Sequence, residues 1–319
     1  MKQITLGLAL LGANLLYSQD QELDSIQLRG NLSEITLLER IDTTKVSEEN
    51  IFIPIEGILK EKEGVHLISR GNFAQEPVLR VYRGEQVNVT LNGMRMFGAC
   101  TDKMDPTTAY AETSNLESLA ITQSGKTDVS GNAHGGALNL ELKKASFSGT
   151  TTFNGLLGIN YATNTNGYGA LGHLDIRSKN WGVYIQSSTR KHQNYYAGGN
   201  QEIQFSQYEK VNLTANLALK LSKREVLRIH YLYDKAMDVG YPSLTMDVGL
   251  AEAHVLGVHY KSFIHGNAIK AWETQLYYNS IYHEMDDTKR PNVPMHMDMP
   301  GWSKTLGAWV KLHGVETLD

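Results

Sequence analysis

The residues best equipped for chemistry carry sulfur and imidazole. Cys100, the chain's single cysteine, stands four positions before Met104, and His283 stands two before Met285. A thiolate and a thioether are soft donors that select Cu(I), and imidazole also suits copper. On a helical turn, residues four apart lie on one side; on a strand, residues two apart share a face. Binding would deprotonate Cys100, so affinity should fall at low pH. Plainer uses stand beside this one. A lone cysteine is often a small buried apolar residue; Met104 can fill a core, and His283 can be an ordinary polar lumen residue. In an exported chain one cysteine leaves a buried thiol, an intermolecular link or a metal ligand. A second group, Met295-His296-Met297-Asp298-Met299, is dense in soft ligands and reads either as a recruiting loop or as a flexible one. Met94 and Met96 lie close to Cys100 in sequence and could line an approach.

The elements that must position these residues begin with an export signal. Met1-Lys2-Gln3 is short and basic, and Ile4 to Leu16 is 13 residues of apolar or small side chains broken only by Thr5 and Asn14. Ser18, Gln19 and Asp20 follow. This is the pattern of a secretory signal peptide over residues 1–19. It is too short to cross a bilayer as a helix, which needs ~20 apolar residues. Mean hydropathy is −0.33, and no later segment approaches a membrane helix. Outer-membrane strands remain open, because their signal is weak per strand. The net charge of −4 and a pI near 6.3 give no reason to expect a nucleic-acid partner.

Two grammars divide the rest. Residues 20–147 are mixed: an alternating segment Leu23–Leu28, a candidate helix from Glu48 to Glu63, short strands at Val78–Val81 and Val87–Leu91, and a turn at Asn92-Gly93. From residue 148 a period of two takes over. Val211, Leu213, Ala215, Leu217 and Leu219 alternate with polar neighbours, Ser222-Lys223-Arg224-Glu225 turns the chain, and Leu227, Ile229, Tyr231 and Tyr233 alternate again. Similar pairs fall near 168–178 with 181–190 and near 251–262 with 269–285. The joins at 178–180, 222–225 and 263–268 are short, whereas those at 191–207, 237–250 and 286–301 are long and polar. Short turns on one side and long loops on the other mark an outer-membrane β-barrel with its short side periplasmic. A soluble β-sandwich also alternates, but usually with strands of about 5–6 residues.

The strand near 269–285 tells which way the histidine points. Glu273, Gln275, Tyr277, Asn279, Ile281, His283 and Met285 share one mostly polar face, and Trp272, Leu276, Tyr278 and Tyr282 dominate the other. The polar face should line the lumen. Counted from a periplasmic start, this strand is the seventh and runs outward, which sets His283 and Met285 at its extracellular end.

Four segments carry a resemblance. Glu63-Gly64-Val65-His66-Leu67, Leu91-Asn92-Gly93-Met94-Arg95-Met96, Asn115-Leu116-Glu117-Ser118-Leu119-Ala120-Ile121 and Gly131-Asn132-Ala133-His134-Gly135-Gly136-Ala137-Leu138-Asn139-Leu140 resemble, in order, the plug domain of TonB-dependent outer-membrane receptors. Cys100-x-x-x-Met104 with His283-x-Met285 is similar to the metal motifs of that family's copper-receptor branch. The resemblance implies an α+β plug domain with its TonB box at 20–147, followed at 148–319 by antiparallel transmembrane β-barrel strands. It implies a copper cargo held between plug and barrel by Cys100, Met104, His283 and Met285; the softness of these donors points to Cu(I), and Met295, His296, Met297 and Met299 stay a secondary candidate group read from the residues alone. It also implies coupling to TonB, with ExbB and ExbD, through Leu23–Leu28, and outer-membrane lipid as surroundings. Family barrels have about 22 strands, and the chain after residue 148 has room for only about eight, so the expected barrel is incomplete. An open sheet leaves unpaired edges in lipid, which is costly, and the sequence reads as a fragment or truncated product.

No Ser-His-Asp, P-loop or dinucleotide pattern stands out, and an enzyme is not expected. Rival readings are a receptor of the same fold for a siderophore or other metal complex, a secreted copper-binding or electron-transfer protein, and a nonfunctional remnant of a split gene.

Overall fold

A computed structural model describes residues 38–45, 50–123, 134–264 and 269–314. The expected signal peptide (residues 1–19) and the segment Leu23–Leu28 lie outside the described residues. Antiparallel strands dominate, and no described helix is long and apolar enough to cross a membrane.

The alternating half forms one eight-stranded antiparallel sheet. Its strands are β8 (Thr152–Ala162), β9 (Gly167–Arg177), β10 (Trp181–His192), β13 (Tyr208–Lys220), β14 (Glu225–Val239), β15 (Asp247–Phe263), β16 (Ile269–Asp286) and β17 (Asp298–Gly314). They pair in chain order from β8 to β17, and among the described residues the two outer strands pair with no further strand. A two-residue ribbon, β11 (Tyr196–Ala197) with β12 (Gln201–Glu202), decorates the long connection after β10. The strands are far longer than the about 5–6 residues usual in soluble sheets: β15, β16 and β17 have 17, 18 and 17. Alternation decides the faces. In β13 every second residue from Tyr208 to Ala218 is buried, and the residues between are half-exposed.

The first half supplies a smaller sheet in the order β1-β6-β7-β4-β5: β1 (Leu38–Asp42), β6 (Leu116–Thr122), β7 (Ala137–Leu142), β4 (Asn88–Leu91) and β5 (Met94–Arg95). Only β4 and β7 run parallel. A separate hairpin joins β2 (Val65–Ser69) to β3 (Gln75–Leu79). Asn92 and Gly93, both at positive φ (51° and 73°), make the tight turn between β4 and β5 that this dipeptide signals. Gly136 has φ 100°, and a side chain there would strike the carbonyl oxygen of Thr122, so β7 can begin against β6 only with glycine.

The helix expected over Glu48–Glu63 is far shorter where it is described: α1 spans Ile55–Leu59. Pro54 stands at its N-cap and fixes an extended entry, and Gly57 falls inside it.

The core lies between the two sheets. Leu91, Met94, Leu119, Ile121, Leu138 and Leu140 of the small sheet pack with Leu232, Ala253, Val255, Tyr277 and Ile281 of the large one. Polar contacts fix the docking. Asn115 Nδ2 donates to Asn212 Oδ1 and Thr214 Oγ1 at 2.9 and 2.8 Å, Asn279 Nδ2 donates to the Arg95 carbonyl at 3.0 Å, and Arg190 binds Glu112 at 2.8 Å. Met94 and Met96, expected along an approach, are buried members of this core.

Candidate metal centre

His283 and Met285 are set by the pleat of β16. On this strand the odd-numbered residues from Gln275 to Met285 turn inward and are all buried, while Leu276 and Tyr278 face outward. β16 is the seventh strand of the large sheet, and its last residues adjoin the long connection 287–297. The site therefore stands at the long-loop end of the sheet.

Cys100 and Met104 come from the segment after β5. Here the expected helical turn is absent. Lys103 takes a left-handed conformation (φ 54°), and its N–H reaches the Cys100 carbonyl at 3.4 Å, closing a turn. Asp105 precedes Pro106, a position that disfavours helix. The turn still gathers the donors: the Met104 N–H points at Cys100 Sγ, 3.4 Å away. Cys100, Met104 and Met285 share one buried cluster with Val248, Ala251 and Tyr241. Cys100 Sγ lies 3.9 Å from Met285 Sδ.

The fourth donor stands beside them with a residue that sequence reasoning missed. Cys100 Sγ, a ring nitrogen of His283 and a carboxylate oxygen of Asp105 all lie within 4.8 Å of one another, and all three residues are buried. His283 Nδ1 is 2.9 Å from Asp105 Oδ1, within ion-pairing distance. Buried polar atoms are normally satisfied; here Asp105 Oδ1 faces only the His283 ring, and among the described residues His283 Nε2 makes no hydrogen bond.

The surrounding groups hold this arrangement still. After Pro106, a single 3-10 turn over Thr107–Tyr110 brings the Tyr110 hydroxyl round to donate to Asp105 Oδ2 at 2.6 Å. Burial, and then the Asp105 charge, push the Tyr110 phenol well above its ordinary value, so it stays a donor. Tyr241, in the connection after β14, donates its hydroxyl to the Met104 carbonyl and is likewise pushed well above its usual range, first by burial. Tyr241 is anchored in turn: its N–H donates to Asp247 Oδ1 at 3.0 Å, and Arg290 Nη2 donates to its carbonyl at 2.9 Å.

The secondary group is not brought to this centre. Met295, Met297 and Met299 are exposed, and His296 Nδ1 pairs instead with Asp287 Oδ1 at 2.9 Å. Met299 alone is directly opposite Met285 in the β16–β17 register.

A donor set of thiol, imidazole, two thioethers and a carboxylate, buried and partly unpartnered, can hold a soft or borderline metal ion.

No family model matches the sequence, and no curated protein matches it. Its likeness to solved structures is extensive. The copper transporter OprC superposes with a TM-score of 0.76 at 19% identity over 87% of this chain and 43% of its own. The FrpB iron transporter of Neisseria meningitidis gives 0.69 at 13% identity, over 88% and 47%. A double mutant of the Serratia marcescens hemophore receptor HasR, in complex with its hemophore HasA and heme, gives 0.70 at 16% identity, over 87% and 41%. The chain spans less than half the length of these structures. At such identities the likeness is one of fold.

Proposed function

We propose that this chain, whose fold is that of TonB-dependent outer-membrane receptors, takes part in copper uptake across the outer membrane and holds the ion between plug and barrel. The observation that carries the reading is the meeting of Cys100 and Met285, 185 positions apart in sequence, beside His283 and Met104 in one buried cluster. Two thioethers and a thiolate favour Cu(I) over harder ions. In this reading residues 1–19 are the export signal, 20–147 the TonB box and plug, and 148–319 strands of the barrel. The outward face of the large sheet supports lipid contact: Leu157, Ile159, Leu276, Leu306 and Val310 are all exposed on it, a larger apolar surface than water-facing proteins usually carry. With the short joins periplasmic, the site faces the cell exterior, where a captured ion must arrive. TonB, gripping Leu23–Leu28, would pull on the plug and release the ion inward. Met295, His296, Met297 and Met299 would meet copper first at the mouth.

The test is copper stoichiometry with Cu K-edge absorption on the purified protein, wild type and Cys100→Ala. One Cu(I) with sulfur-dominated ligation, lost in the variant, is the expected result. No copper in either protein would remove the substrate and leave iron complexes, siderophores or heme as cargoes for the same fold.

A further inference from the structure

We propose that Asp105 is a fifth donor at this centre and that, through it, the site also holds a divalent ion. The inference rests on the reading that Cys100 and His283 bind metal. Four features of Asp105 carry it. Its side chain is 1% exposed, so a carboxylate has been taken from water almost completely. An arrangement that strips a charge of solvent demands a compensating partner. Among the described residues no lysine or arginine forms an ion pair with it; its one charged neighbour within pairing distance is His283. The two oxygens are treated differently: Oδ2 is occupied by the Tyr110 hydroxyl at 2.6 Å, and Oδ1 faces only the His283 ring, 2.9 Å away. One oxygen held by an outer hydrogen bond and one turned toward another candidate ligand is how a monodentate metal-binding carboxylate is oriented.

The spacing agrees. Two donors bound to one ion at ~2.1 Å each stand about 3–3.4 Å apart. Asp105 Oδ1 and His283 Nδ1 are 2.9 Å apart, and Cys100 Sγ completes a triangle with ligand atoms within 4.8 Å. Cysteine, histidine and aspartate form a donor set suited to zinc. Charge balance points the same way. A Cys100 thiolate and an Asp105 carboxylate carry two negative charges. A cuprous ion would leave one of them uncompensated in a buried site, and a divalent ion neutralises both. Binding releases to solvent the Cys100 thiol proton and any proton held between His283 and Asp105, and no electron moves. Met104 and Met285 then serve the soft ion, and Asp105 the divalent one, at the same centre.

The experiment compares Zn(II), supplied as the simple salt, with Cu(I) on the full protein in detergent, for wild type, Asp105→Asn and Tyr110→Phe. Wild type should bind one Zn(II), with Zn K-edge absorption showing one sulfur among nitrogen and oxygen ligands. Asp105→Asn should lose Zn(II) affinity by about 100-fold or more and Cu(I) affinity by less than about 10-fold; Tyr110→Phe should weaken Zn(II) by about 10-fold. Retained Cu(I) binding shows that the variant is folded. The proposal is overturned if wild type takes no Zn(II), if Asp105→Asn leaves Zn(II) binding unchanged, or if it weakens both ions equally, as a purely structural role would. Should Asp105→Asn not fold, unchanged Zn(II) affinity in Tyr110→Phe overturns it. Wild type that binds Zn(II) but not Cu(I) sinks the copper reading and leaves this one standing.

Discussion

At the residue scale, the centre separates packing from ligation. Met285 is buried against Cys100, Val248 and Ala251, so it fills space whether or not a metal is bound. Leucine is close to methionine in volume, and such a swap usually costs less than about 1.5 kcal/mol. Met285→Leu should therefore keep thermal stability and lose Cu(I) affinity, as read by competition with a Cu(I) chelator. Unchanged affinity would mean that the thioether is only core. Tyr241→Phe removes the hydroxyl that holds the Met104 carbonyl and should cost about 1 kcal/mol of stability. The shared face of His283 and Met285 was legible in the sequence from their spacing, as was the grouping of Cys100 with Met104 four positions on. Asp105 and Tyr110 were not. A carboxylate next to Met104 looks like any loop acid, and what sets it apart is that its loop faces His283 on β16, 178 positions away, at 2.9 Å. The turn at Cys100–Met104 was misread as helical because the residues four apart fit one. What excludes a helix is Lys103 at positive φ and Pro106 behind Asp105.

At the scale of elements, a buried ionic group ties the two sheets together. Glu112, just before the last 3-10 turn ahead of β6, meets Arg190 of β10 and Lys210 of β13, both at 2.8 Å, and Lys210 also reaches Asp234 of β14 at 3.1 Å. Burial alone would push the Glu112 carboxyl up, but Arg190 and Lys210 outweigh it and hold the group below its ordinary 4.5. The sign follows from that direction. A carboxyl whose value is lowered on folding contributes stability that is complete above the unfolded value and is lost as pH falls through the lower folded one. Glu112→Gln leaves Arg190 and Lys210 buried with only Asp234 opposite, and breaking a buried pair in this way costs about 3–5 kcal/mol. Thermal unfolding in detergent should show that loss at pH 7, and the gap between wild type and variant should narrow as pH falls below about 4.5. A constant gap down to acid pH would mean that the charge on Glu112 is not what docks the small sheet. The alternation of β13 to β16 made these strands, their order and their inward faces legible. The ionic group was not, because Glu112 lies in a segment without periodicity and its partners are separated from it by 78 and more positions.

At the scale of the whole molecule, the large sheet is asymmetric in a way that two different surroundings would explain. Its inner face carries Asn212, Asn216, His230, Asp234, Asn279 and His283, all buried, and much of this polarity is bonded to the small sheet or along the strands. Toward the short-join end, the inner face opens into a cavity of about 670 Å³ lined by Arg228, Lys261, Glu273 and Gln275. The outer face puts Leu276, Tyr278, Leu306 and Val310 into the surroundings. A single soluble fold would reverse that arrangement, since exposed apolar surface and buried polar side chains are both costly in water. Lipid outside and a polar interior inside make both favourable. Adjacent positions on β16 test this. Leu276→Arg sets a charge on the outer face and should destabilise the protein by about 2–4 kcal/mol if that position is near the bilayer midplane. Gln275→Glu, one residue away, sets a charge in the polar cavity opposite Arg228 and Lys261 and should change stability by less than about 1 kcal/mol. Urea titration of both variants in phospholipid vesicles measures the difference. Equal effects at the two positions would mean that the outer face does not meet lipid, and the membrane reading of the sheet would fall with it.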